Sequence, residues 1–233
     1  MIVSSKCTVK GLKEINETLK LITFEIEKYV PWEPGMFLQM SLDKYDPSEP
    51  WPNSRAFSFA SYGDTEAKIL VRKTGEFTTR LFKELKKNDE FYIRYCFGDF
   101  ILSESGDKVL IAAGTGVSVF LSYIDYYIKK QLNEKVFLFH SIRNSTELIK
   151  NYLDVDIPKK IKIFSFITKE RIQSFPNRRI EIEDIMSNIS QNDHFSFYIC
   201  GNDEFVEKYA MGLKKKNIDT IYTESWDKSF IQQ

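Results

Sequence analysis

A run of five apolar residues that leads into a glycine turn constrains this chain more than any other feature. Val109–Ala113 is followed by Gly114, Thr115 and Gly116, and an apolar segment with helical spacing continues from Val117. This pattern predicts a buried strand, a tight turn and a helix. Glycines let a ligand approach the backbone, and the first amides of a helix attract an anion. The stretch is therefore either a nucleotide-binding turn or an ordinary strand-to-helix crossover.

The composition indicates a globular chain of one or two domains. The 233 residues are 42% hydrophobic and include 19 Phe, which is enough for buried cores. Because 33 basic residues balance 33 acidic ones, no bulk attraction to nucleic acid or to a membrane surface is predicted. The three cysteines are widely spaced, which favours a reducing compartment and excludes a four-thiolate iron–sulfur centre. We expect a cytoplasmic protein without a metal site.

The rhythm of the chain changes near residue 104. Before it, short alternating segments predict the antiparallel strands of a small barrel. After it, strands and helices alternate, which is typical of a parallel sheet. We therefore predict an antiparallel β-barrel domain over residues 1–103 and a parallel-sheet α/β domain over residues 104–233. In the second domain, Thr146–Tyr152 is predicted to form a helix.

One strand-like stretch in the first half carries side chains suited to a phosphate and a flat ring. In Arg55–Ser61, the alternation places Arg55, Phe57 and Ser61 on one side and Ser58 on the other. An arginine, an aromatic ring and small hydroxyl side chains can bind a phosphate, stack on a ring and hydrogen-bond its edge. A barrel strand that ends in a surface arginine is the alternative interpretation.

A second glycine turn lies about twenty residues further on. Gly75 follows a predicted strand and precedes Phe77, Thr78 and Thr79, where a helix is expected to begin. Exposed amides and hydroxyl groups at such a helix start suit a second anionic group.

In the second half, polar residues follow predicted strands at the edge where open α/β sheets bind ligands. Arg143 follows one strand, Thr168 and Lys169 follow another, and Cys200 and Gly201 follow a third. A basic residue at this edge can meet a phosphate. A lone cysteine at a strand end is more often a small buried residue, so the glycine beside it carries the argument for a site.

The segments PGMFLQM, RAFSFAS, GEFTTRLF, FGDF and AAGTGVSVFLS, in that order, resemble the ferredoxin–NADP reductase family. Members of that family are flavin and nicotinamide oxidoreductases with an antiparallel flavin barrel and a parallel-sheet nucleotide domain. The resemblance runs from about residue 34 to residue 226 and implies FAD and NADPH or NADH as cofactors. Two departures stand out: Phe57 replaces a tyrosine, and Val119 replaces a proline.

Within the barrel, the resemblance implies a role for each part of the two stretches. Arg55 would pair with a flavin phosphate, Phe57 would stack on the isoalloxazine ring, and Ser58 would hydrogen-bond the reactive ring nitrogen. Gly75 and Thr78 match the motif that holds the diphosphate of FAD. The remaining candidates for the flavin site are Ser61, Phe77 and Thr79.

Within the nucleotide domain, the resemblance implies that Gly114–Val117 and Cys200–Gly201 bring the nicotinamide beside the flavin. The candidates at the adenosine end are Arg143, Thr168 and Lys169, the last two at the place where NADP-using members bind the 2′-phosphate. Glu224 would assist in proton balance, and Trp226 would cover the flavin ring. The candidate catalytic residues are Ser58, Cys200 and Glu224.

The resemblance implies an FAD-dependent NAD(P)H oxidoreductase that passes electrons to ferredoxin, to flavodoxin or to a small-molecule acceptor. An NAD(P)H:flavin reductase and the reductase component of a monooxygenase share these motifs. An electron-transfer subunit of the dihydroorotate dehydrogenase type is disfavoured, because such a chain brings a cysteine cluster near its C-terminus. A non-catalytic module that senses a nucleotide or the redox state is the alternative of another class.

Overall fold

The computed structural model of the chain describes residues 2–189 and 194–226. The chain divides into two compact units, and each is described by itself. Unit 1 comprises Met1–Ser103 and Ser118–Lys129, and unit 2 comprises Glu104–Val117 and Lys130–Gln233. The predicted fold class, an antiparallel barrel followed by a parallel sheet, is confirmed. The domain boundaries stay a prediction.

Unit 1 is built from six strands and two helices within its described residues. The strands are β1 (Val3–Asn16), β2 (Leu19–Ile26), β3 (Phe37–Ser41), β4 (Arg55–Ser58), β5 (Glu66–Arg72) and β6 (Glu90–Phe97). The helices are α1 (Glu76–Glu84) and α2 (Ser118–Lys129). The strands form one antiparallel sheet in the order β4-β3-β6-β1-β2-β5.

This sheet closes nearly completely into a barrel. Beyond Ser58, the outer strands β4 and β5 are joined by a single bridge between Phe59 and Ile69. Near-closure protects strand edges that would otherwise expose unpaired backbone groups. The predicted strand over residues 55–61 is wrong in length, because regular pairing with β3 ends where Phe37 lies opposite Ser58. The next bond, from the Phe59 N–H to the Met36 carbonyl oxygen, is already 3.2 Å long.

Large aromatic side chains fill the interior of the barrel. Trp32 and Phe59 are fully buried, and their rings stack with centroids 4.2 Å apart. The indole N–H of Trp32 donates to the carbonyl oxygen of Ser61 over 3.0 Å, so its polar atom is satisfied. Burial of each such side chain contributes about 1.5–3 kcal/mol to folding.

Helix α2 attaches to the corner of the barrel at Ser61 and Tyr62. The Ser122 hydroxyl donates to the Ser61 carbonyl over 2.8 Å. The Asp125 carboxylate accepts the Tyr62 N–H over 2.8 Å, and the Lys129 ammonium donates to the Tyr62 carbonyl over 2.6 Å. These bonds supply partners for backbone groups at a corner where strand pairing has ended, and they explain why α2 belongs to unit 1.

Unit 2 contains a parallel sheet within its described residues. Its strands are β7 (Lys108–Ala113), β8 (Val136–Ile142), β9 (Ile161–Ile167), β10 (Ser196–Gly201) and β11 (Ile221–Ser225). Its helices are α3 (Ile182–Met186) and α4 (Asp203–Lys214). The strand order is β11-β10-β7-β8-β9, and every pair is parallel, so all five carboxyl ends lie along one edge.

The described helices are short. The longest, α2 and α4, have 12 residues each, and none of the helices within residues 2–189 and 194–226 has the length and apolar content to cross a membrane. The predicted helix over Thr146–Tyr152 is wrong. Two 3₁₀ turns, Ser145–Glu147 and Ile149–Asn151, take its place because Leu148 between them is extended.

Candidate functional site

In unit 1, the two predicted binding stretches meet at the start of α1. The guanidinium carbon of Arg55 lies 5.7 Å from the centre of the Phe77 ring, and the centres of the Phe57 and Phe77 rings are 6.3 Å apart. Phe77 is the second residue of α1, so these contacts place Arg55 beside the helix start. An arginine, two aromatic rings and a helix N-terminus are thereby brought together in one unit.

Arg55 keeps donors for a ligand. Its Nη1 atom donates to the Asn53 side-chain oxygen over 3.0 Å and to the Ser54 carbonyl over 2.7 Å. Its Nε and Nη2 atoms make no hydrogen bond to the described part of the chain. Guanidinium groups present a planar set of five N–H donors that matches phosphate oxygens. Arg55 is therefore held in place by one nitrogen and can bind an anion with the others.

The two serines of this stretch differ in what their hydroxyl groups do. The Ser61 hydroxyl accepts the Lys68 N–H over 2.9 Å, which helps join the segment after β4 to β5. The Ser58 hydroxyl has no hydrogen-bond partner among the residues that the structure describes, although Ser58 is only 8% exposed. Ser58 is thus available to a ligand, whereas Ser61 has a structural task in closing the barrel.

The helix start itself uses the hydroxyl of Thr78. Thr78 Oγ1 accepts the N–H groups of Thr74 over 2.9 Å and of Gly75 over 3.1 Å, and donates to the Gly75 carbonyl over 3.1 Å. The amides of Glu76 and Phe77 belong to the first turn, where no intrahelical acceptor exists. A Cβ atom on Gly75 would meet nothing within 4 Å, so space for a ligand lies next to these amides.

Because the Thr78 hydroxyl caps α1, we expect Thr78→Val to lower the free energy of unfolding by about 1 kcal/mol. Thr78→Ser keeps the hydroxyl and is expected to unfold like the wild type. The measurement is urea denaturation. Thr79→Val, one residue further on and exposed, is the matched control and should change stability by less than about 0.5 kcal/mol. Equal effects of Thr78→Val and Thr79→Val would contradict the capping role.

In unit 2, the glycine turn after β7 touches the turn after β10. Gly114–Val117 forms a 3₁₀ turn, and Gly114 has a φ of +51°, in the left-handed region that glycine tolerates. A Cβ atom on Gly116 would lie 2.6 Å from the carbonyl oxygen of Cys200 and 3.2 Å from the nitrogen of Gly201. The two backbones therefore approach as closely as they can, and two predicted site segments adjoin.

Three predicted site residues of β10 and β11 also come together. Cys200 is in register with Glu224, and Trp226 directly follows β11. Trp226 donates its backbone N–H to the Gly201 carbonyl over 3.2 Å. Burial raises the pKa of the Cys200 thiol, and the nearby Glu224 charge raises it further. Cys200 is consequently a neutral thiol at physiological pH.

The raised pKa of Cys200 makes stability fall at alkaline pH. Above the ordinary thiol pKa of 9.0, the unfolded chain loses a proton that the folded chain keeps, so the folded state is progressively disfavoured. Between pH 8 and pH 10 we expect the wild type to lose about 1.4 kcal/mol more than Cys200→Ser. Urea denaturation at several pH values measures this. Cys96→Ser, at a half-buried thiol, is the control with a smaller expected difference; identical slopes for Cys200→Ser and wild type would refute the assignment.

The adenosine-end candidates lie on adjacent strand ends. The Lys169 N–H donates to the Arg143 carbonyl over 3.0 Å, and the side chains of both residues are exposed. The Thr168 hydroxyl donates to the Ile142 carbonyl over 3.0 Å and so serves the strand junction. Beside them, Glu170 accepts the Ser145 N–H over 2.7 Å, a bond that lowers its pKa and keeps a negative charge next to the two cations.

One residue of this edge was missed by the sequence analysis. His140 is fully buried, and its Nε2 atom lies 2.9 Å from the carbonyl oxygen of Gly114. A histidine within the mostly apolar strand Val136–Ile142 was the available signal, because a buried ring nitrogen needs a polar partner.

The chain matches a known protein family over a range that lies mostly in unit 2 and includes α2 of unit 1. Residues 110–210 match the oxidoreductase NAD-binding domain family. The reductase component DmpP of phenol 2-monooxygenase from Pseudomonas sp. strain CF600 is 25% identical over 165 residues, which are 68% of this chain and 45% of that protein. A probable dihydroorotate dehydrogenase B (NAD(+)) electron transfer subunit from Pyrococcus abyssi is 32% identical over 148 residues, which are 61% of this chain and 53% of that protein. The chain thus spans about half the length of these relatives.

A solved structure resembles almost the whole chain. The ferredoxin NADP+ reductase from Neisseria gonorrhoeae, determined with bound FAD and NADP, superposes with a TM-score of 0.74 and 17% identity. The match covers 96% of this chain and 98% of that one. At this level of identity, the likeness concerns the fold.

Proposed function

Since the chain is a ferredoxin–NADP reductase-like protein with an oxidoreductase NAD-binding domain, we propose that it is an FAD-dependent oxidoreductase that takes a hydride from NADPH or NADH. FAD, when bound, supplies the ring that accepts the hydride and passes electrons on. The observation that carries the proposal is the family match over residues 110–210, in a chain whose other unit is an antiparallel barrel.

In unit 1, the proposal uses polar groups that the fold leaves available. Arg55 and the first amides of α1 would hold the diphosphate, because an arginine fork and a helix N-terminus both favour phosphate. Phe57 would lie against the flavin ring, and the Ser58 hydroxyl would donate a hydrogen bond to its edge. Arg55 keeps two nitrogens and Ser58 its hydroxyl for these contacts, so the residues present fit FAD.

In unit 2, backbone groups would do most of the nucleotide binding. The turn Gly114–Val117 would receive the nucleotide, and Gly201 would leave room beside it. Cys200, as a neutral thiol, would contact the nicotinamide without adding charge, and Glu224 would assist in proton balance. The candidates for the adenosine end are Arg143, Thr168 and Lys169. A contact of Trp226 with the flavin ring stays a prediction.

The electron acceptor is proposed from the relatives. Relatives of the chain are named as the reductase component of phenol 2-monooxygenase, an electron transfer subunit of dihydroorotate dehydrogenase B and a flavodoxin/ferredoxin–NADP reductase. We therefore propose ferredoxin, flavodoxin or an oxygenase component as the partner of this chain. Reduction of free flavin is the second candidate, because a flavin reductase would need the same two binding units. A cytoplasmic location stays a prediction.

An anaerobic reductive titration tests the proposal. The purified protein is saturated with FAD, freed of unbound flavin, and titrated with NADPH and NADH in separate cells. We expect the visible flavin bands to bleach with one equivalent of at least one nucleotide. Dithionite serves as the positive control for a reducible flavin. Bleaching by dithionite but by neither nucleotide would overturn the proposal.

The same preparation distinguishes the alternatives. Turnover of an artificial electron acceptor with retained FAD is expected for the proposed enzyme. FAD that is lost on desalting but reduced when added back favours the flavin reductase. Nucleotide binding without any turnover identifies a sensing module.

A further inference from the structure

His140 touches the glycine turn from the neighbouring strand. It lies near the end of β8, in register with Ala112 of β7 on one side and Ser165 of β9 on the other. Its Nε2 atom is 2.9 Å from the Gly114 carbonyl oxygen. We infer that His140 is a positioning residue for nucleotide binding, which holds the first peptide of the turn in the orientation that the nucleotide requires. The inference rests on the proposed function of unit 2.

The contact determines where the histidine carries its proton. A carbonyl oxygen only accepts hydrogen bonds, so Nε2 must be the protonated nitrogen. Because the ring is fully buried, loss of this acceptor would leave the Nε2–H group buried without it, at a cost of about 1–3 kcal/mol. The cost of breaking it keeps the hydrogen bond between His140 and Gly114 formed in the folded protein. This bond joins β8 to the turn that follows β7.

The orientation of one peptide group follows from this bond. In a trans peptide, the C=O and N–H groups point in opposite directions. With its carbonyl drawn to His140, the Gly114–Thr115 peptide directs the Thr115 N–H away from the β8 side chain. Glycine permits many backbone angles, and Gly114 already has a φ of +51°, so the peptide needs an external anchor to keep one orientation.

The other end of the turn is held by a different strand. Gly116 packs against the carbonyl of Cys200, at a distance that leaves no room for a Cβ atom. The turn is thus anchored at its first residue by a hydrogen bond from β8 and at its third by backbone contact with β10. Removal of the His140 donor frees the first residue while the second anchor stays intact.

Nucleotide binding to variants of the FAD-loaded protein tests the inference. We expect His140→Leu to weaken binding of NADP+ or NAD+, measured by calorimetry, by about tenfold, with FAD affinity unchanged. His140→Gln places an amide N–H near the position of Nε2 and is expected to restore most of the affinity. His194→Leu, at the only other histidine and an exposed one, is the matched control.

A direct readout accompanies the binding data. Because the chain has only two histidines, a long-range ¹H–¹⁵N spectrum of the wild type resolves the protonation of each ring. We expect His140 to be protonated at Nε2. A ring protonated only at Nδ1, wild-type affinity in His140→Leu, or equal weakening in the Gln and Leu variants would each overturn the inference. If the wild-type protein binds neither nucleotide, it is the proposed function that fails.

Discussion

Gly116→Ala is expected to destabilise the protein by about 3 kcal/mol, the upper end of the range for an overpacked site. The added Cβ atom would lie 2.6 Å from the Cys200 carbonyl oxygen and 2.9 Å from its carbonyl carbon. Both are backbone atoms near the end of β10, which is paired with a strand on each side, so no side-chain rotation relieves the contact. The turn after β7 or the turn after β10 must move instead. Urea denaturation followed by circular dichroism measures the loss.

The same substitution is expected to lower kcat/KM for the reducing nucleotide by about a hundredfold, because displacement of a binding turn by about 1 Å has effects of that size. Stopped-flow reduction of the FAD-loaded protein measures this under conditions where the variant is folded. The loss of stability and the loss of kcat/KM have one cause, the contact between the added Cβ atom and the Cys200 carbonyl group. A second substitution that lets the turn after β10 move away should reduce both losses.

Two other glycines provide comparisons for Gly116→Ala. Gly11 lies in β1, and its Cβ atom would meet Thr23 at an ordinary 3.8 Å, so Gly11→Ala should leave stability and reduction rate unchanged. Gly114 has open space but a positive φ, so Gly114→Ala should cost only the backbone strain of about 1 kcal/mol. If Gly116→Ala is as mild as Gly114→Ala, close backbone contact is not what makes residue 116 a glycine.

Arg55→Leu is expected to raise the Kd for FAD by about 10- to 100-fold. Hydrogen bonds to a charged group contribute about 1.5–3 kcal/mol, and each 1.4 kcal/mol is a factor of ten in affinity. The substitution removes the guanidinium beside the start of α1 and leaves the helix amides in place. Titration of the apoprotein with FAD, followed by quenching of flavin fluorescence, gives the Kd.

Two further arginine variants separate charge from geometry. Arg55→Lys keeps the charge but loses the planar set of donors, so an intermediate Kd is expected. Arg80 lies on α1, the helix whose start is beside Arg55, but it is already paired with Asp43 at 2.7 Å and Glu84 at 2.8 Å. Arg80→Leu should therefore leave the Kd for FAD within about twofold, as is usual for exposed ion pairs. Unchanged FAD affinity in Arg55→Leu would count against a phosphate role for Arg55.

Much of the architecture could be predicted from local patterns. Alternating apolar residues before residue 104 indicated antiparallel strands, and the apolar run Val109–Ala113 followed by glycines indicated a parallel strand and its turn. Such patterns depend on neighbouring residues in the chain, because the side-chain period and the backbone freedom of glycine are local properties. These patterns therefore predicted that the antiparallel barrel comes first along the chain and the parallel sheet second.

Local patterns predicted the candidate site only in part. Arg55, Ser58 and Gly116 were identified from residue type and spacing. Thr78 and Ser61 were identified on the same grounds, yet the structure uses their hydroxyl groups for a helix cap and for barrel closure. The sequence could not reveal this difference, because the residue type is the same whether the hydroxyl group bonds to the backbone or to a ligand.

What the sequence by itself determined, then, is the two-part plan of an antiparallel barrel followed by a parallel sheet, and which residues have side chains suited to a phosphate or a flat ring. Only the tertiary structure decided which of those groups are already bonded, that Gly116 meets the backbone of Cys200, and that His140 holds Gly114. The physical reason is that hydrogen bonds and close contacts are short-ranged in space, and the residues that make them here are far apart along the chain.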